Sequence, residues 1–184
     1  MVCSFSPETW TAWGTWALVV VTWVSIFVTI WFIRKQIRAS KEASALQLFV
    51  QLTGEFQDQR MRHLRKTLAR YLHARLADSA TAIDPLADDT VLQFFENIGY
   101  LTHIGFLDNN VIWNYFSHHI CGYWTAAKPE IEALRRMPGN RDLYDEMEWL
   151  HNEMLRLDRI KGHDRTEWLG DRTTRFLKLE TSLL

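Results

Sequence analysis

Residues 10–33 read WTAWGTWALVVVTWVSIFVTIWFI, and the rest of the chain is organised around them. The stretch contains no charged side chain. As a helix rising ~1.5 Å per residue it is long enough to cross the ~30 Å hydrocarbon core of a bilayer. No lysine or arginine precedes Arg34, and then Arg34, Lys35, Arg38 and Lys41 arrive together. That asymmetry predicts a single-pass anchor in the plasma (inner) membrane, with the N-terminus outside and the C-terminal part in the cytoplasm. A cleaved signal peptide would need a basic flank and a shorter apolar core, and residues 1–9 carry no positive side chain. The competing reading, a buried helix of a soluble bundle, leaves the charge asymmetry unexplained.

The faces of this span differ. At 3.6 residues per turn Thr11, Gly14, Thr15, Thr22, Ser25 and Thr29 fall within ~100° of one another, and Trp13, Trp16, Trp23 and Trp31 fall opposite. Helices associate in lipid through small residues and interhelical hydrogen bonds, so the small-polar stripe predicts self-association into a homo-oligomer, with the tryptophans toward lipid. A hydrated pore lined by the stripe is the alternative. The bland alternative is that each hydroxyl bonds its own i−4 carbonyl.

The remainder of the chain is long enough for one domain with a single core. All 21 Lys and Arg lie beyond the span, and of the 22 Asp and Glu only Glu8 precedes it, so this part is formally neutral. A neutral domain has no overall attraction to a nucleic-acid duplex, and none is expected as a partner. Cys3 and Cys121 would face opposite sides of the membrane, which excludes a disulfide between them in that topology.

Helical periodicity runs through the remainder, and nothing alternates with period two for long. The expected organisation is an extracytoplasmic segment 1–9, a transmembrane helix 10–33, a stalk and first bundle helix 34–57, a cytoplasmic helical domain 58–163 and an amphipathic tail 164–184. Residues 34–77 read as helix with Gly54 its weak point. Residues 78–89, with Pro85, read as a loop. Asp89 is the expected cap of a helix ending at Gly105, and Asp108 or Asn109 of the next. Lys128-Pro129 is expected to start a short helix, and Asn140 to open another, along which Leu143, Met147, Leu150, Met154 and Leu157 step 4-3-4-3. That stripe faces either the bundle core or a partner helix. Trp113, Phe116, Trp124 and Leu150 are expected in the core. The tail holds Trp168, Leu169, Phe176, Leu177 and Leu179, with its docking open.

No Walker loop, dinucleotide-binding fingerprint, zinc-protease motif, CxxC pair or nucleophile elbow is present. Glu96 with His103, joined by His118, His119 and Cys121, is the best set of metal ligands, and EWLH at 148–151 is a single Glu-x-x-His quartet where a di-iron bundle needs two. Those histidines read better as boundary residues with hydrogen-bond partners. No metal or cofactor is expected, and no catalytic activity.

The strongest binding candidate is a basic face. Between Gln59 and Leu76 there is no acid, while Arg62, Lys66 and Arg70 share a face, with Arg65 and His73 nearby. Three partners compete: anionic headgroups, the acidic segment 78–108, within the chain or in a neighbouring copy, and an anionic small-molecule signal such as a nucleotide. Between Arg75 and Lys128 there is no lysine or arginine, so the acidic segment is the simplest counterpart.

At FFENIGYLTHIGFLDNNVIWNYFSHHICGYWTAAKPEIEALRR, residues 94–136, the chain resembles a group of uncharacterised bacterial single-span membrane proteins with a small helical cytoplasmic domain. The shared features are an aromatic pair, a Gly-Phe-Leu turn, a Tyr-Trp pair, Lys-Pro and a closing Leu-Arg. The resemblance implies an all-α fold, one N-terminal transmembrane helix continuing into a helical bundle, and brings no activity with it. The resulting expectation is a non-enzymatic, self-associating membrane protein that presents a cytoplasmic interaction or sensing domain. The alternative is a ligand-gated effector, whose cytoplasmic domain binds a nucleotide-type anion and whose membrane helices then permeabilise the bilayer.

Overall fold

The structure is a computed structural model. It describes the backbone of residues 7–77, 89–163 and 171–182, and side chains for these except residues 7–15, 17–20 and 38–39. Among the described residues there are six helices and no strand: α1 Pro7–Gln57, α2 Gln59–Ala77, α3 Thr90–His103, α4 Asn109–Arg135, α5 Asp145–Ile160 and α6 Asp171–Thr181. The all-α expectation holds. The chain divides into two units, 1–47 and 48–184.

The described part of the first unit is one helical run, and the charge-free stretch 10–33 lies wholly inside α1. Its described apolar side chains from Val21 to Ile33 are all 44–67% exposed. Among the described residues no helix is long and apolar enough to cross a membrane. Residues 10–15 and 17–20, which make up much of the span as read from sequence, have no described side chains and lie outside that statement.

The second unit is a bundle in which α3 and α4 lie between α5 on one side and α2 with α6 on the other. Its centre is aromatic. Phe56 at the end of α1, Phe94 and Phe95 of α3 and Phe116 of α4 meet with ring centroids 5.3–6.4 Å apart. The four expected core residues Trp113, Phe116, Trp124 and Leu150 are buried, as are Met147, Met154 and Leu157, so the 4-3-4-3 stripe faces the bundle core and not a partner helix. Leu143 packs against the same core from its edge.

Boundaries depart from the sequence reading where a side chain takes over from propensity. The helix expected over 34–77 breaks at Asp58, and Gly54 lies inside α1. The Asp58 carboxylate accepts from the Arg60 N–H at 2.9 Å and its carbonyl from the Arg62 N–H at 2.9 Å, so it starts α2 as a cap would. Asp89 stands at the N-cap of α3 without capping it; its carboxylate takes the Gln93 amide and the Tyr144 hydroxyl instead. Gly105 has φ +70 and ends α3 as expected, with Phe106 N–H reaching back to Leu101 O at 2.9 Å. Asp108 caps α4 through the N–H groups of Asn110 and Val111.

Pro129 does not start a helix; α4 runs through it to Arg135. The missing N–H costs one helical bond, and Ala126, Ala127 and Ile131, buried on either side of it, hold the backbone in place. The helix expected from Asn140 begins only at Asp145, because residues 141–144 form turns and Tyr144 sits in the left-handed region at φ +59. Its cap comes from another helix: Glu96 of α3 accepts the N–H groups of Glu146 and Met147 at 3.3 and 2.7 Å. Close approach allows this, since a Cβ on Gly99 would lie 2.4 Å from the Glu146 carbonyl oxygen. The loop 78–88 and residues 164–170, with Trp168 and Leu169, lie outside the described residues.

Candidate functional site

α2 is the most basic helix, and its two sides have different roles. Met61, Leu68, Ala69 and Leu72 are buried, and Arg65 lies in register with them at i+4, i−3, i−4 and i−7. Arg65 is therefore 5% exposed, inside the bundle. Its guanidinium forks onto Glu180 of α6, Nε to Oε2 at 2.9 Å and Nη2 to Oε1 at 2.7 Å. It also lies 4.0 Å over the Phe56 ring and donates through Nη1 to the Phe56 carbonyl at 3.4 Å. The Tyr123 hydroxyl of α4 donates to Glu180 Oε2 at 2.6 Å, and His119 Nε2 stands 3.6 Å from Oε1.

Burial sets the proton positions in this knot. It pushes His119 down to about 4, outweighing the attraction of Glu180, so the imidazole is neutral at pH 7. It pushes Tyr123 well above the usual phenol range, with the Glu180 charge adding to the effect. His119 Nδ1 is buried without a hydrogen-bond partner.

Of the basic face read from sequence, the structure separates Arg65 from the others. Arg62 and Arg70 are exposed and Lys66 and His73 half-buried on the adjoining flank. Arg62 donates through Nε to the Gln57 carbonyl at 2.9 Å, which straps the α1–α2 break. The cleft of about 530 Å³ beside that break is lined by Glu55, Asp58, Arg60 and Met61 and by none of these four flank residues.

Asp78, Asp84 and Asp88 of the acidic segment lie outside the described residues. Arg65 takes Glu180, and Arg75 pairs with Glu130 of α4. The described acids of that segment serve the backbone and neighbouring side chains instead: Asp108 and Glu96 cap α4 and α5, and Asp89 binds Gln93 and Tyr144. Glu180 carried no sequence signal beyond lying four residues after Phe176, on the face that α6 buries. Arg65 carried a clearer one, its register with Leu68 and Leu72.

The residues weighed as metal ligands are dispersed. Glu96 is the cap of α5; His103 bonds Glu146 at 2.8 Å and stacks on Trp149 at 4.3 Å; His118 and His119 pack edge-on against Phe176. Cys121 is a buried free thiol. Glu148 pairs with Arg135 at 2.5 Å, and burial holds the neighbouring His151 down to about 4. Among the described residues no three such side chains form a group that could hold a metal ion.

In the N-terminal unit the Ser25 hydroxyl donates to Val21 O at 2.9 Å and Thr29 to Ser25 O at 2.8 Å, the i−4 bonding weighed above. These bonds use the donors and leave hydroxyl lone pairs able to accept. Thr11, Gly14 and Thr15 have no described side chains.

One family model matches the chain, over residues 19–154, with the description "Domain of unknown function (DUF4760)". The match includes Arg65, His119 and Tyr123. No curated protein and no solved structure matches.

Proposed function

We propose that this chain, which belongs to the DUF4760 family of domains of unknown function, is a non-enzymatic single-pass membrane protein that self-associates and displays its helical bundle to the cytoplasm. The observation that carries the reading is the all-round exposure of apolar side chains on α1. Val21, Trp23, Val24, Ile26, Phe27, Val28, Ile30, Trp31, Phe32 and Ile33 point in every direction around the helix, inside a stretch with no charge from residue 10 to 33. Ten such side chains in water would be a severe aggregation liability; hydrocarbon is the solvent that suits them. Arg34, Lys35, Arg38 and Lys41 orient the helix.

Labelling with a thiol reagent that cannot cross membranes tests the topology. Cys121 is buried and would resist the reagent from either side, so it should be replaced by alanine and a reporter placed at exposed Asn114. Intact cells are expected to label Cys3 and spare the Asn114→Cys thiol; the opposite pattern means the orientation is reversed, and equal labelling in a soluble fraction removes the anchor altogether.

Self-association is proposed through Thr11, Gly14, Thr15, Thr22, Ser25 and Thr29. Replacing Thr22, Ser25 and Thr29 together with leucine is expected to lower the mass of the detergent-solubilised complex, since interhelical hydrogen bonds of ~0.6–2 kcal/mol each would be lost. Replacing Trp13, Trp16 and Trp23 with leucine is expected to do much less. Equal masses for both triple variants and wild type would remove the interface.

A second reading, an effector gated by a nucleotide-type anion, draws support from exposed Arg62 and Arg70 on a helix with no acid. It must use the flank of Arg62, Lys66, Arg70 and His73, because Arg65 is occupied by Glu180 as long as α6 is docked.

A further inference from the structure

We propose that Arg65, Tyr123 and His119 form a receptor for a phosphate group, and that α6 fills it in cis through Glu180 as a displaceable plug. The inference does not depend on where the N-terminal span resides.

The geometry is that of an oxyanion site. Donors from two helices converge on one carboxylate: the Arg65 fork from α2, and the Tyr123 hydroxyl from α4 at 2.6 Å. A guanidinium fork fits carboxylate and phosphate equally, as two parallel N–H bonds to two oxygens. Glu180 has only two oxygens, and both are used. His119 is left over, its Nε2 3.6 Å from Oε1, beyond hydrogen-bond reach, and its Nδ1 buried without a partner. A tetrahedral phosphate carries a further oxygen that the neutral imidazole, with one N–H to donate, can bind. The side chain of His119 is 24% exposed, against 6% for Glu180, so it marks the side from which a ligand enters.

α6 has the character of a plug. At 11 residues it is too short to hold a helix alone, so its order comes from docking. It docks through Thr173, Phe176, Leu177 and Glu180, and Phe176 sits in a notch of α4 where a Cβ on Gly122 would lie 2.7 Å from its ring. The helix packs mainly on α2 but buries only two apolar side chains, Phe176 and Leu177, and elements with few buried apolar side chains open at lower free energy than the core. A buried ion pair adds little stability over an apolar pair of the same shape, which makes a switching role a reasonable use for this one. The arrangement also connects to α1, because the guanidinium that holds Glu180 rests on the ring and carbonyl of Phe56 in the last turn of that helix. Exchanging a tethered carboxylate for a free phosphate alters the charge facing that turn.

Hydrogen exchange of the α6 amides in the purified full-length protein tests the proposal, with inorganic phosphate as the probe and acetate and chloride at matched ionic strength. Phosphate binds only the undocked form, so it is expected to speed exchange across 171–181 by about tenfold at a concentration ~10 times its Kd. Glu180→Gln keeps the shape of the plug and weakens its hold, so half the effect should appear at a lower phosphate concentration. Arg65→Met should abolish the response. No change in α6 exchange with phosphate, in wild type and in Glu180→Gln alike, would overturn the plug. An equal response to acetate would overturn the phosphate assignment, and an equal response to chloride would reduce the contact to a screened structural staple.

Discussion

Gly99→Ala is expected to destabilise the bundle by about 2–3 kcal/mol, against the ~1 kcal/mol gain that alanine brings to an unconstrained helix interior. The sign inverts because the added Cβ would lie 2.4 Å from the Glu146 carbonyl oxygen and 2.7 Å from its carbon. Those are backbone atoms, which no rotamer change can move. α5 must retreat from α3, and retreat pulls the N–H groups of Glu146 and Met147 off the Glu96 carboxylate that caps them. The cost of overpacking and the loss of a cap therefore act together. Gly54→Ala is the control: Gly54 sits inside α1, where an added Cβ would meet nothing within 4 Å, and alanine there should be neutral or slightly stabilising. Urea denaturation of the two variants beside wild type checks the pair. A Gly99→Ala midpoint at or above that of wild type would show that α5 yields freely and that the contact is not a constraint.

Trp113→Ala is expected to lose cooperative melting, because truncating a buried tryptophan costs ~3–5 kcal/mol out of a total stability of ~5–15 kcal/mol. Trp113 is 8% exposed and does more than fill volume. Its indole N–H donates to Asp158 Oδ1 at 2.7 Å, Lys161 lies 3.7 Å over its ring, and His163 stacks on it at 5.4 Å. Alanine removes the packing and withdraws a donor from a carboxylate that is 1% exposed. A buried polar group stripped of a hydrogen bond costs more than the bond contributed, so the two losses add. Trp113→Phe separates them: it keeps most of the volume, loses only the donor, and should melt between the two. Near-ultraviolet circular dichroism followed through a thermal ramp is the measurement. A Trp113→Ala protein melting within a degree or two of wild type would mean that the end of α5 is not held through this side chain.

Both predictions turn on contacts between helices, and that is where the sequence reading stops. What repeats every 3.6 residues is local. The helix at 90–103, the start of the next at 109 with its cap at Asp108 or Asn109, the core positions Phe116, Trp124 and Leu150, and the terminating glycine at 105 were therefore legible from the chain alone. The burial of Arg65 was legible in principle, because it keeps register with Leu68 and Leu72, but a run of cations on one helix draws the eye to an exposed face.

What tertiary structure alone decided is the identity of partners far apart in sequence. Glu180 lies 115 residues from Arg65, and no spacing rule joins them. Opposite charges along a chain say that matching is possible, while packing decides which carboxylate arrives, as Glu180 does at Arg65. Glu96 had the composition of a metal ligand and became the cap of a helix 50 residues away. Pro129 had the signature of a helix start, and the walls on either side of it held the backbone through. In each case a local preference of about a kilocalorie met a buried contact worth as much or more, and the contact prevailed. Whole-helix periodicity survives such contests because it sums over many residues; single caps, breaks and ion partners do not.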